Sequence, residues 1–242
     1  MMKTTTKKLL SILFLATLLS SCNVNMFNRI NGNRNVITEN RKANEDFTKI
    51  KVSTGLDLYI TQGATTEIIV EADENLQDII ITEINNGVLK IYSEKNIWRA
   101  KARKVYVTLE TLEGLSATSG SDIYSQKTLQ VNDLAVSATS GANIRIDLDA
   151  NSVTSSATSG ADIEITGIAN NHTSSATSGA SIDAYNLRSK NVTVKVSSGA
   201  DINIYASESI AAKATSGGDI DFKGSPKSVT KKSSSGGSIS AK

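Results

Sequence analysis

The chain has 242 residues with 26 basic and 24 acidic side chains, a net charge of +2 that gives no electrostatic case for a nucleic-acid partner. Its single cysteine excludes an internal disulfide, and its single histidine, His172, supplies neither a catalytic pair nor a multi-His metal centre. Aromatic residues make up 5%, too few to fill a wide core.

The chain opens with a processing segment. Lys3, Lys7 and Lys8 form a basic region, Leu9 to Leu19 an apolar run, and Leu19-Ser20-Ser21-Cys22 closes it. The run is too short to span a bilayer as a helix. The arrangement resembles a bacterial lipobox, which implies a signal peptide over 1–21 and lipidation of Cys22. Removal of the signal leaves 23 basic against 24 acidic side chains. Similarity to Bacteroidetes-type lipoproteins implies that acidic residues after the cysteine direct surface export. Asn23-Val24-Asn25-Met26 has none, so the expectation is the periplasmic face of the outer membrane. Residues 22–44 are polar and Asn-rich and read as the lipidated cysteine and a flexible tether.

A β-domain is expected over 45–242. Its first part, 45–112, carries apolar runs at Thr66–Val70, Ile79–Ile81, Val88–Tyr92 and Val105–Leu109, separated by Gly63, Asn86-Gly87 and Gly114. These predict less regular opening coils, with Ile97-Trp98 helping to close an end. The second part, 113–242, repeats one motif seven times around Ser-Gly pairs whose glycines are 120, 141, 160, 179, 199, 217 and 236. Three residues after each glycine stands Ile. Five after it the residue is mostly apolar, and the one between is nearly always polar, the period-two alternation of a half-buried strand. A second inward column sits seven before the glycine, from Leu134 through Val153, His172, Val192 and Ile210 to Val229, and a third, mostly Ala, three before it. Each Ser-Gly reads as a corner, where glycine tolerates positive φ and lets stacked coils approach. A repeat this short cannot close a core alone, so its faces must stack. The fold class is therefore all-β, a single parallel β-helix (β-solenoid) of about 19 residues per coil. Parallel crossovers are right-handed in nearly all cases, so a right-handed coil is expected.

The string Phe47-x-x-Ile50-x-Val52-x-x-Gly55-x-Asp57-Leu58-x-Ile60-x-Gln62-Gly63, then Asn86-Gly87-x-Leu89-x-Ile91, then repeated Ser-Gly-x-Asp-Ile, resembles the bacterial family called putative auto-transporter adhesin, head GIN domain. The likeness runs over about residues 45 to 240. It implies a β-helical, exported or lipid-anchored protein and carries no catalytic residues.

Candidate sites are few. Two after the glycines runs a row that includes Asp57, Asp122, Asn143, Asp162, Asp201 and Asp219. Stacked rungs put such side chains about 5 Å apart, within reach of a shared Ca²⁺, and Asp201 and Asp219 are the adjacent charged pair. The competing role is capping of the corner by Asp and Asn side chains. The basic run Trp98 to Lys104 could touch headgroups or acidic glycans, or lie solvated in a loop. The outward row Thr118, Thr139, Thr158, Thr177 could face a regular polymer, or reflect β-propensity. His172 is expected as a semi-buried or rim residue. No triad, phosphate loop or convergent acid pair appears, and no cofactor is implied. The expectation is a non-enzymatic envelope lipoprotein, held at the membrane by its lipid and presenting a repetitive face to a glycan or protein. The alternative is a carbohydrate-active enzyme, since β-helices also carry polysaccharide lyases and hydrolases. Coils of 18 to 21 residues leave little loop length for the walls of a groove. The oligomeric state is left open.

Overall fold

The structure is a computed structural model that describes residues 29–242; the expected signal peptide over 1–21 and the expected lipidation site Cys22 lie outside the described residues. Asn143–Thr158, Asp162–Thr177 and Ser181–Val196 are each one strand of 16 residues, and Asp201–Ala214 one of 14. All four pair in parallel with their neighbours. Ile144, Ile163, Ile182, Ile202 and Ile220 register on one another rung by rung, as do Ala138, Ala157, Ala176, Val196 and Ala214. Consecutive repeats therefore stack as coils of a β-solenoid of about seven turns, and the antiparallel pairing of a sandwich is absent between them. The inward columns read from the sequence are buried through the middle coils, and one continuous cluster of apolar side chains extends from Phe47 to Phe222; Val229, on the last coil, where no further rung covers it, is 46% exposed.

Each corner is made by backbone. At Ser159-Gly160 both residues have positive φ, +56° and +66°, the combination required by the central pair of a type I′ turn. The turn closes where the Ala142 N–H donates to the Thr139 carbonyl at 3.3 Å and the Gly218 N–H to Thr215 at 3.1 Å. Each corner is also tied to the next: the Gly141 N–H donates to the Ser159 carbonyl at 3.2 Å, and Gly160 to Ser178 likewise. A serine at positive φ is uncommon, and these inter-coil bonds help hold it there. Close approach is not the reason for the corner glycines, because a Cβ on Gly160 would meet nothing within 4 Å. Close approach instead governs Gly167, in mid-strand, whose Cβ would fall 1.9 Å from the Leu148 carbonyl oxygen.

The first part of the domain departs from simple opening coils. Lys49–Val52 and Asp57–Gln62 do form a true coil, cornered at Thr54-Gly55, which stacks on Gly114–Thr118 and Asp122–Ser125. On its other side lie Val88–Ser93 and Arg103–Leu109. Beyond these the pairing turns antiparallel: Ile80–Asn85 joins Val88–Ser93, and Glu67–Asp73 joins Arg103–Leu109. The 3-10 helix Glu74–Ile79 crosses the end with Leu76 fully buried. Residues 64–112 are thus a cap, whose larger aliphatic side chains cover a core end that no further coil covers. Ile97 is buried as expected, but Trp98 is 53% exposed, with the Arg29 guanidinium 4.0 Å above its ring.

Residues 29–44 are not a plain tether. Arg29–Asn31 pairs with Asn96–Arg99, and Val36–Arg41 adds antiparallel to Glu67–Asp73. Polar composition suggested a linker, but here the polar groups bond to the cap. The Asn33 N–H donates to Asn75 Oδ1 at 2.8 Å, Asn35 Nδ2 to Glu74 Oε2 at 3.0 Å, and Arg41 Nη2 to the Gln77 carbonyl at 2.8 Å. At the centre is Asp73, fully buried, whose carboxylate accepts from the N–H groups of Arg34, Lys101 and Ala102 at 2.9 to 3.0 Å. Burial alone would raise its pKa, yet those N–H groups hold it below the usual carboxylate value.

Another buried polar group is His172. It is 1% exposed, fully inside the column rather than at its rim. Its Nε2 lies 2.9 Å from Ser155 Oγ, and Ser155 Oγ donates to Ser174 Oγ at 2.9 Å. Those roles place the ring proton on Nε2 and leave Nδ1 without a partner. Burial lowers the pKa to about 4. The depressed value means that the unfolded chain takes up a proton below about pH 6.5 while the folded chain does not, so stability falls as pH drops from there toward 4.

Two predictions follow from these groups. Asp73→Ala leaves three N–H groups unpaired and should cost about 3 kcal/mol in denaturant unfolding. Its hydrogen exchange should quicken at 29–41 and 99–104 while the coils 143–214 stay protected. His172→Val, matching Val153 and Val192 on the adjoining rungs, should abolish a pH-dependent loss of about 2 kcal/mol between pH 7.5 and pH 5, read by urea melts at both values.

Candidate functional site

Residues two, four and six after each corner glycine alternate with the buried positions and face outward, so they line three parallel rows along the solenoid axis. In the first row Asp201 and Asp219 stand on adjacent rungs, as the sequence placed them. A second adjacent pair, Asp57 and Asp122, was not foreseen: the coil 47–62 stacks directly on Asp122–Ser125 although 65 residues separate them. Asp57 has a raised pKa, first from burial and then from Asp122, opposed by Arg103 and Lys104. Asn143 Nδ2 donates to Asp122 Oδ1 at 2.7 Å. Among the described residues no side chain of this row caps its own corner, which backbone bonds close instead. Nor do three or more His, Cys, Asp or Glu side chains converge to hold a metal ion. Asp201 and Asp219 bring two carboxylates to an exposed face, against the six to eight oxygen ligands Ca²⁺ takes.

The second row holds the most distinctive surface of the molecule. Tyr106, Tyr59 and Tyr124 occupy successive rungs and stack as a ladder. Ring centroids are 5.1 Å apart at 20° between Tyr59 and Tyr106, and 5.3 Å at 23° between Tyr59 and Tyr124. All three are half-buried, and burial pushes the Tyr106 and Tyr124 hydroxyls upward in pKa, with Glu71 and Asp122 adding to it. The Tyr106 hydroxyl reaches Glu71 Oε2 at 3.4 Å, and Lys104 Nζ lies 3.6 Å from the same carboxylate group. The row continues into the ion pair of Arg145 with Glu164, beside which Tyr124, Asn143, Asp162 and Asp183 line a shallow groove. In the third row a smaller aromatic platform follows. Lys223 Nζ lies 4.1 Å from the Tyr185 ring, and the Arg188 guanidinium 5.8 Å from that of Tyr205. Three rungs, about 14 Å, separate the levels of Tyr124 and Tyr185.

Sequence reasoning missed this ladder. Tyr59 and Tyr124 both stand four after a corner glycine, a signal that was available. Tyr106 follows no corner glycine, and only the pairing of the cap brings it into line. The other candidates lie elsewhere. The basic run is divided among cap elements: Lys101 and Ala102 bind Asp73 through their backbone, while Arg103 and Lys104 enter the strand Arg103–Leu109. The threonine row is outward, and its hydroxyls sit 3.4 to 3.5 Å from those of the corner serines Ser119, Ser140, Ser159 and Ser178.

A family profile described as putative auto-transporter adhesin, head GIN domain, matches residues 46–226. Among solved structures, a putative adhesin from Bacteroides fragilis superposes with a TM-score of 0.82 at 24% identity, over 88% of this chain and 100% of that one. A putative lipid binding protein from Parabacteroides distasonis gives 0.73 at 21% identity, over 88% and 99% of the two chains. A putative adhesin from Parabacteroides merdae gives 0.71 at 19%, over 89% and 99%. At these identities the likeness establishes the fold. No functionally curated protein matches. The match over most of the chain, on a fold shared with these structures, makes it a member of the putative auto-transporter adhesin, head GIN domain family.

Proposed function

We propose that this protein is a non-enzymatic envelope lipoprotein, anchored through Cys22 at the periplasmic face of the outer membrane, that binds a glycan along its tyrosine-bearing face. The observation that carries the reading is the Tyr106–Tyr59–Tyr124 stack. Aromatic rings stacked in a rigid row offer their edges and hydroxyls to a sugar chain at little cost in side-chain ordering, and leave ring faces uncovered by the stack on the outer sides of Tyr106 and Tyr124. The neighbouring carboxylates and amides accept and donate hydrogen bonds to hydroxyls. Across the three rows nine carboxylates face four cations, so the face disfavours an acidic polymer and suits a neutral or amine-bearing glycan. The lipobox-like Leu19-Ser20-Ser21-Cys22 supports the anchor.

The tests separate these parts. Cells fed a radioactive fatty acid should label the wild type and leave Cys22→Ala unlabelled; label on both would remove the anchor. In a panel of neutral and amino-sugar polysaccharides, the mature protein should show saturable retention without turnover. Tyr59→Ala, which breaks both stacking contacts, should weaken that retention about tenfold, and Tyr59→Phe should keep it. Release of reducing or unsaturated ends, lost on Asp201→Ala or Asp219→Ala, would overturn the binding reading in favour of a carbohydrate-active enzyme.

A further inference from the structure

The segment before each corner presents a different outward face, and it carries the opposite charge. Four residues before the glycine, the aligned row holds serine on four successive rungs, the last being Ser175, and then Lys195, Lys213 and Lys232. At the capped end the same row continues into Lys51 and Lys90, the latter paired with Glu83. Lys195, Lys213 and Lys232 are exposed, and none enters an ion pair among the described residues. No Asp or Glu occurs within 173–177, 193–197, 211–215 or 230–234, the segments that build this face on the four rungs.

Parallel register therefore stacks three ammonium groups on adjacent rungs, rooted about 4.8 Å apart, with no fixed counter-charge. Their mutual repulsion is relieved by anions and by nothing else on this face. Beside them Ser175, Thr177, Ser197 and Thr215 offer hydroxyls along a shallow concavity, and Thr177 Oγ1 lies 3.1 Å from Ser197 Oγ. The arrangement is linear, directional and hydroxyl-rich. It also lacks the large apolar side chains that a membrane-surface site inserts among lipids, since Ala176, Val194, Val196, Ala212 and Ala214 are buried and the exposed apolar residue of these segments is the small Ala211.

We infer that the Lys195–Lys213–Lys232 ladder is a binding site for a linear polyanion, an acidic polysaccharide whose carboxylate, sulfate or phosphate groups recur along its chain. A single small anion would engage one or two of the lysines. A polymer laid along the axis engages all three and displaces their counterions together, which makes its affinity steeply salt-dependent. The site is separate from the tyrosine face, across the corner from it, and does not depend on the function proposed for that face.

The probes are immobilised heparin and polygalacturonate, with dextran as the neutral polymer and phosphatidylglycerol vesicles as the lipid surface. The mature wild-type protein should be retained on the two polyanions at 50 mM salt and released as salt rises, whereas any retention on dextran, which would report on the tyrosine face, should be insensitive to salt and unchanged in the ladder variant. The triple variant Lys195→Ser/Lys213→Ser/Lys232→Ser restores the residue that the same row already uses on its four preceding rungs, so the coils should keep their thermal midpoint. It should lose at least tenfold in affinity and most of the salt dependence. A control with the same change in charge, Lys127→Ser/Lys190→Ser/Lys227→Ser, should stay within twofold of wild type, as should Tyr59→Ala. Equal losses in the two triple variants, undiminished binding by the ladder variant, or capture by the vesicles with none by the polyanions would each overturn the assignment.

Discussion

Parallel backbone hydrogen bonds hold each coil in register on the next, and every other property of the molecule is built on that register. With no slip between Ala157 and Ala176, or between Ile163 and Ile182, each side chain meets the residue about 19 positions away at the spacing of one rung. Burying one face fixes the register, since a shift of one residue would turn the isoleucine column outward. The corner bonds add a second lock. The glycine N–H of one coil reaches the serine carbonyl of its neighbour from Gly120 to Gly217, so the turns cannot drift independently of the strands. Where the repeat has an extra residue, after Gly179, the irregularity against the next coil is confined to the stretch between Ala184 and Asn191, and regular pairing holds from Asn191 to Val196.

Register also multiplies chemistry. A residue chosen at one repeat position appears again a rung away, so a favourable contact becomes a ladder and an unfavourable one becomes a strip of repulsion. The tyrosine stack is the favourable case. Asp57 against Asp122 and Lys195 against Lys213 are the unfavourable ones. The interior answers the same constraint by economy of size: the narrow coil takes Ala near the corner and Ile after it, and places its one ring-bearing polar side chain, His172, between two valines with two serines for company.

The coils were legible in the sequence because their information is periodic: Ser-Gly fixes the corner, and alternation fixes which face is buried. The cap was not, because its pairings are antiparallel and join segments far apart in the chain, as in the pairing of Val36–Arg41 with Glu67–Asp73. The Asn-rich stretch before residue 45 looked like a linker because its partners, Asn75, Glu74 and Gln77, sit in a short helix with no periodic signature. The aromatic face failed for a related reason. Coil order in space differs from order in sequence at one junction, where residues 64–112 leave the stack and the chain returns to lay Asp122–Ser125 on Asp57–Gln62. That junction sets Tyr59 between Tyr106 and Tyr124.

Confinement of the irregular architecture to the cap has an evolutionary corollary. Because a middle coil touches only the coils above and below it, duplication or loss of one unit between Gly141 and Gly217 leaves the cap and its aromatic rungs untouched. It changes only how far apart the features on either side stand. Lineages can thus lengthen or shorten this molecule as a ruler, one rung at a time, without redesigning a core.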